Sequence, residues 1–370
     1  MKKFLKIFSI TLVTLLLVVI GYLAYVLISF YRIEDNVEVD INNNQNTQVA
    51  LDTEYTITSF NIGFGAYEQS YSFFMDTGVM EDGTKTTGKH SRALGKQNVI
   101  DNTNGSINQI KNVNPDFCFF QEVDTKSNKS YKVNQKDMVA DAFNNYSNTY
   151  AINYHSSYLF YPFHEPIGKS NSGIMTLSKY KMDTSLRRSF PLSGSTLTDL
   201  TDLDRCFVIT RFKITDDKQL VLINLHMSAY DEGGKVRAKQ MQLLNEVLEQ
   251  EKNNYVIVGG DFNHILVETN FPTTQQRPDW VADFPTSDLP ASYTVRAAVN
   301  APTCRGADIP YEKGVNYTVV IDGFITNDKI TVVSIENLDC DFMYSDHNPV
   351  KMVFTKNRSR RGSRARPNRG

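Results

Sequence analysis

Cysteine is scarce in this 370-residue chain, with only Cys118, Cys206, Cys304 and Cys340. None has the paired spacing of a structural zinc site, and four are too few for a disulfide scaffold of this length. Cys118 and Cys206 fall in apolar, strand-like runs and read as buried small hydrophobes. Cys304 and Cys340 fall in loop-like contexts, where a disulfide between them stays open. Internal repeats are absent, which excludes a solenoid. A phosphate-binding loop is absent too: Gly259-Gly260 is not followed by Lys-Ser/Thr and opens no obvious helix.

Charge is missing altogether from Ile7 to Tyr31, a run of 25 residues. As a helix it reaches about 37 Å, enough to cross a hydrocarbon core of about 30 Å. The exit Leu27-Ile28-Ser29-Phe30-Tyr31-Arg32 is bulky and offers no small-x-small site. The segment therefore reads as a retained anchor, not a cleaved signal peptide. Lys2, Lys3 and Lys6 precede it, while Glu34, Asp35, Glu38 and Asp40 follow. The lysine bias puts the N-terminus inside and the rest of the chain outside the cytoplasmic membrane.

Acids are missing from the last 15 residues, Lys356 to Gly370, which carry seven Lys and Arg. That tail is expected to be disordered. All 41 acids lie in residues 33–355 against 28 Lys and Arg, a formal charge of about −13. Non-specific duplex binding relies on basic surface, so this balance disfavours a nuclease. Hydrophobic content of 41% with 22% charged residues marks the middle of the chain as globular. The expected organisation is an anchor over residues 1–32, a tether over 33–53, one domain over 54–355 and the basic tail over 356–370.

What the domain has is a set of short apolar runs that stop at polar groups. Tyr55 to Asn61 ends on an amide, Asp116 to Glu122 on a carboxylate and Leu220 to His226 on an imidazole. Val319 to Asp322 ends on another carboxylate. Tyr255-Val256-Ile257-Val258 leads through Gly259-Gly260 to Asp261-Phe262-Asn263, and Ser345-Asp346-His347 precedes the last apolar run. Asp261 and Asn263 are two residues apart, so in extended backbone both side chains leave on one face. Helical patterns separate the runs, one through Val99, Ile107 and Ile110 that stops before Pro115 and one from Gly234 to Glu251. Cys206 to Ile214 and Leu220 to Leu225 read as a hairpin turning at Asp216-Asp217. Carboxylates, amides and imidazoles at strand ends are the donor set for hydrolysis at phosphorus with a hard metal ion.

By these ordered motifs the sequence resembles the endonuclease/exonuclease/phosphatase superfamily, the deoxyribonuclease I-like proteins. They are Phe-Asn61, Gln-Glu122, the Ser172-Gly173 strand, Leu-His226, Gly-Asp261-Phe-Asn263, Ile-Asp322 and Ser-Asp346-His347, and they span nearly all of the domain. The resemblance implies two packed mixed β-sheets flanked by helices, a four-layer α/β sandwich. It implies Glu122 as principal Mg²⁺ or Mn²⁺ ligand with Asn61 beside it and Asp346 completing the surroundings. It implies His347 as general base, Asp322 as its orienting partner, Asp261 and Asn263 as groups orienting the nucleophile and a phosphoryl oxygen, and His226 as donor to phosphate or leaving group.

The expectation is a monomeric, membrane-tethered, extracytoplasmic phosphoester hydrolase acting on a small or lipid-linked substrate. The alternatives are a deoxyribonuclease-like endonuclease and a sphingomyelinase-like phospholipase, although no long aromatic hairpin for membrane insertion is visible. A catalytically dead binding module is disfavoured because no motif position is missing. His90, His155, His164 and His264 read as surface or core histidines, with His155 the best of them because it follows a strand. Arg237 and Gln240 read as packing residues. The segment from Gly63 to Lys96 is either a lid over the site or a surface loop with its own aromatic core. The region from His264 to Tyr317, with Trp280, Arg296, Arg305 and Lys313, is a second candidate for shaping specificity.

Overall fold

A computed structural model describes residues 1–29, 31–192, 204–214, 218–228 and 235–356. The turn at Asp216-Asp217 and the basic tail beyond Lys356 lie outside them. The elements in order are α1 (Lys2–Ser29), β1 (Val37–Glu38), β2 (Ile41–Asn42), β3 (Tyr55–Asn61), β4 (Thr77–Val79) and β5 (Lys85–Thr87). Next come α2 (Lys96–Val113), β6 (Phe117–Asp124), α3 (Gln135–Ala142), β7 (Ser147–His155), β8 (Asn171–Ser178) and β9 (Thr184–Ser189). They are followed by β10 (Cys206–Lys213), β11 (Gln219–His226), α4 (Lys235–Glu251), β12 (Tyr255–Asp261) and β13 (Tyr293–Arg296). The last are β14 (Cys304–Arg305), β15 (Thr318–Val319), β16 (Asp322–Asn327), β17 (Ile330–Asn337) and β18 (Val350–Lys356).

Two seven-stranded mixed sheets, ordered β1-β9-β10-β11-β12-β16-β13 and β17-β18-β3-β6-β8-β7-β2, pack face to face. Strand alternation builds the layers. Phe117 and Phe119 of β6 meet Leu220, Leu222, Ile257 and Phe324 between the sheets. Cys118 and Phe120, on the other face of β6, pack with Ile107 and Ile110 of α2 and Val139 of α3. Likewise Val256 and Val258 of β12 turn outward to Leu244, Val247 and Leu248 of α4. Strands covered on both faces explain the near-continuous apolar runs. The result is the four-layer sandwich expected.

Three expectations are corrected. Residues 33–53 are not a free tether: Val37 and Glu38 pair with Arg187 and Leu186, Ile41 and Asn42 pair with Thr149 and Asn148, and Val49 is in the core. Two-residue strands leave no periodicity to read. Lys356 belongs to β18, not the tail, and is buried with Nζ 3.8 Å from the centre of the Tyr55 ring, where aliphatic stem and cation both find a partner. Asp322 opens β16 and does not close a strand. All four cysteines are free thiols. The helix α1 is long and apolar enough to cross a membrane.

The segment from Gly63 to Lys96 resolves as a local core. Phe64, Tyr67 and Tyr71 are buried with Ala93, Val99, Val133 and Ala307. Its cations are partly engaged there too, Arg92 Nε donating to the Pro166 carbonyl at 2.5 Å.

Candidate active site

The sheets deliver the polar groups to one end of the sandwich. β11 and β12 run parallel with His226 opposite Asp261, and antiparallel β16 sets Asp322 opposite Asp261 from the other side. In the second sheet β3 and β6 run parallel and end together, and β18, entered from His347, runs antiparallel to β3. Glu122 lies in a β-bulge between Phe120 and Val123 with φ +55°, and Asn263 has φ +51°. Left-handed backbone at non-glycine residues is costly and is tolerated where it aims a side chain.

Asp261 is the hub. Its Oδ2 accepts from Asn61 Nδ2 at 3.0 Å and lies 3.3 Å from His226 Nε2 and 3.7 Å from His347 Nε2. Its Oδ1 accepts from the Asn263 amide at 2.9 Å. Although burial opposes ionisation, His347, His226 and that amide hold the carboxyl well below the usual range. Asp322 Oδ2 lies 2.7 Å from His347 Nδ1. Burial disfavours a charge on His347, but Asp322, Cys304, Asp261 and Asp346 outweigh it and raise its pKa well above that of free imidazole.

His226 behaves in the opposite way. Burial and Arg205 lower its pKa, against the pull of Asp261 and Glu122. Arg205 Nη1 stands 2.6 and 2.7 Å from its two ring nitrogens, and Asn153 Nδ2 stands 3.5 Å from Nδ1. Neither Arg205 nor Asn153 was singled out in the sequence. Hairpin register held the signal: pairing Lys213 with Gln219 carries Phe207 to Leu225, so Arg205 flanks His226.

Glu122 and Asp346 are the partly exposed acids of the set, whereas Asp261 and Asp322 are fully buried. Glu122 Oε1 lies 3.5 Å from Asn61 Nδ2 and 3.9 Å from His226 Nε2. Burial and the charge of Glu122 push the Asp346 carboxyl up to about 6, against His347 and Arg305. Two carboxylates that raise each other's cost of ionisation, with the Asn61 amide oxygen on the same strand end, are the oxygen ligands a hard divalent cation takes. Among the described residues, Asp261, Asp322 and His347 also form a group whose ligand atoms lie within 4.8 Å of one another. In that group His347 Nδ1 and Asp322 Oδ2 already satisfy each other.

The other candidates serve packing. His155 Nδ1 lies 2.8 Å from Asp204 Oδ2, His264 Nδ1 lies 2.7 Å from the Phe262 carbonyl, and the His90 ring sits against Tyr71. Gln240 fixes the turn after His226, accepting from the Ser228 amide at 3.1 Å, and Arg237 donates to the Trp280 carbonyl at 3.3 Å. Of the second variable region, Arg305 is buried and donates to the Tyr67 and Glu68 carbonyls at 3.2 Å each, behind Asp346. Arg296 and Lys313 make local contacts with Thr326 and Asp341.

Fold and site together define a phosphoesterase-like α/β sandwich. The model of the Endonuclease/Exonuclease/phosphatase family matches residues 59–347, and the chain belongs to that family, whose members hydrolyse phosphoester bonds. It is similar to the crystal structure of an endonuclease/exonuclease/phosphatase from Beutenbergia cavernae DSM 12333, at 13% identity and TM-score 0.56, over 82% of this chain and 72% of that one. It is similar to D. rerio TDP2 complexed with single strand DNA product, at 16% identity and TM-score 0.51, over 82% and 100% of the two chains. ANGEL2, a 2',3'-cyclic phosphatase, matches at 13% identity and TM-score 0.51, over 86% and 98%. No curated protein sequence matches the chain.

Proposed function

We propose that the chain is a membrane-tethered, extracytoplasmic, divalent-metal-dependent phosphoester hydrolase for a small or lipid-linked substrate. The observation that carries the reading is one imidazole, His347, held on Asp322 by Nδ1 with Nε2 turned toward Asp261. That arrangement suits a base that takes a proton from water. Asp322 keeps a proton on Nδ1, so Nε2 is the nitrogen that accepts once the ring, whose pKa is raised, has given up its second proton. Asp261 lies between both histidines and within reach of the same water, which it orients. His226, with its pKa lowered, donates a neutral N–H to a phosphoryl or leaving oxygen, and Arg205 adds positive charge behind it.

Glu122, Asn61 and Asp346 would hold the cation, Mg²⁺ or Mn²⁺ by their donor chemistry. When bound, it supplies positive charge to the phosphoryl oxygens. The acidic balance of residues 33–355 favours a compact phosphoester over duplex nucleic acid. The uncharged α1, preceded by three lysines, supports the tether and its orientation.

A panel of bis-p-nitrophenyl phosphate, p-nitrophenyl phosphate, sphingomyelin vesicles and plasmid DNA tests the reading, with and without Mg²⁺ or Mn²⁺ and with His347→Ala as blank. Metal-dependent release from one of the first three, abolished by EDTA and restored by metal, is expected. Full activity after exhaustive chelation overturns the metal role. Plasmid nicking alone assigns the site to nucleic acid.

A further inference from the structure

The outer end of α1 is bonded to the domain beside the active site. Tyr22 Oη donates to the Tyr158 carbonyl at 3.2 Å, and the Tyr158 amide donates to Tyr25 Oη at 3.1 Å. Ser29 Oγ lies 2.5 Å from Ser157 Oγ, and the Tyr22 ring meets Phe160 edge-on at 5.3 Å. Residues 157–160 begin the loop between β7 and β8, which is closed by paired backbone bonds of Leu159 with Gly168 at 3.2 and 3.0 Å. It is an aromatic hairpin that the sequence pattern did not reveal. Its tip exposes Phe160, Tyr161 and Phe163 at 49%, 65% and 85%. Its other flank is fixed, the Ser91 amide donating to Glu165 Oε2 at 2.6 Å and Tyr161 lying 5.8 Å from Phe74.

Depth follows from the helix. Tyr22 precedes Ser29 by seven residues, roughly 10 Å along the axis. A hydrocarbon core of about 30 Å that begins at Ile7 ends near residue 27. Whatever touches Tyr22 and Tyr25 is therefore at the level of the headgroups or below them. Three solvent-facing aromatics at that level are out of place in water and suited to the interfacial belt.

The same hairpin leads back to the catalytic rim. Its first strand ends at His155, whose ring stacks on Tyr31 at 4.0 Å between centres and whose Nδ1 faces Asp204. Arg32 Nε lies 3.7 Å from that carboxylate, and the next residue is Arg205, against His226. We propose that the aromatic tip docks in the lipid headgroup layer and, with α1, seats the rim that carries Arg205 and His226 against the bilayer. This deepens the anchored reading above and rests on it.

The test uses the full chain reconstituted into phosphatidylcholine–phosphatidylglycerol vesicles. Phe163→Trp is made in a Trp280→Phe background, so that one indole reports, with Tyr161→Trp as a second probe should the first misfold. The expected result is a chain that floats with the vesicles, with blue-shifted emission that is largely lost when the lipids carry bromine at the headgroup end of the acyl chains. Flotation with emission unaffected by brominated lipid overturns the docking while the anchor stands. An indole that is blue-shifted but unquenched marks a protein contact and also overturns it. A chain that does not float overturns the anchor and the docking together.

Discussion

Asp322 Oδ2 lies 2.7 Å from His347 Nδ1, with the two side chains 1% and 6% exposed. Water cannot replace either partner there, so the pair sets the ring's tautomer and its aim at once.

Asp322→Asn keeps the shape and removes the charge. We expect kcat on the best substrate of the panel to fall by about a hundredfold, on the scale of general acid–base groups. Steady-state kinetics with circular dichroism as a folding control checks this. A folded variant with a near-normal rate would remove His347 from the role of base.

Gly260 has φ +145°, and a Cβ there would collide with the backbone carbonyl of Leu225 on the neighbouring strand. Neither group can move without parting β11 from β12, which present His226 and Asp261. Gly260→Ala should cost about 3 kcal/mol in a urea titration. An unchanged midpoint would mean that the strand end is free to shift.

Arg211 reaches Glu251 at the end of α4 with two bonds of 2.5 and 3.0 Å. Burial raises the Glu251 carboxyl, yet bonds from Arg211 and Asn254 leave its pKa below the ordinary value. A depressed carboxyl contributes stability above its unfolded pKa, about 4.3, and loses it as pH falls through the folded value. Glu251→Gln should therefore lower the urea midpoint at pH 7, by under about 1 kcal/mol for a partly screened pair. The gap should close in acid. A gap that persists there would assign the effect to packing.

In intact cells, external protease should degrade the domain, and a high-salt wash should leave it membrane-bound. Protection until lysis would show the reverse orientation. A mature chain in the medium starting near residue 30 would identify a signal peptide.

The fold was legible where burial on both faces forces long apolar runs. Tyr55 to Asn61 and Tyr255 to Asp261 are such runs, and a polar residue closing each one stands out. That the polar groups gather at one end of the sandwich was legible for the same reason, through Asn61, Glu122, His226, Asp261 and the Ser345-Asp346-His347 turn, which make up the candidate site. Pattern fails where structure depends on partners far along the chain. The strand Thr184–Ser189 carries Arg187, buried because carbonyls of Ile152, Glu34 and Asp204 accept from it. The helix Gln135–Ala142 has eight residues, too few for a clear stripe, and announces itself mainly through the Asn134 cap. Arg205 needed the hairpin register, and the tip around Phe160 acquires meaning only from its contact with Tyr22.

The short strands Val37–Glu38 and Ile41–Asn42 join opposite sheets within six residues of chain. A pull or twist delivered through α1 consequently reaches both halves of the sandwich together. Between the two pairings the Val39 amide donates to the Ser185 carbonyl at 2.9 Å, so the connection itself is held. Residues 37–42 thus couple α1 to both sheets at once, so that movement of the helix does not load one sheet against the other across the polar cluster.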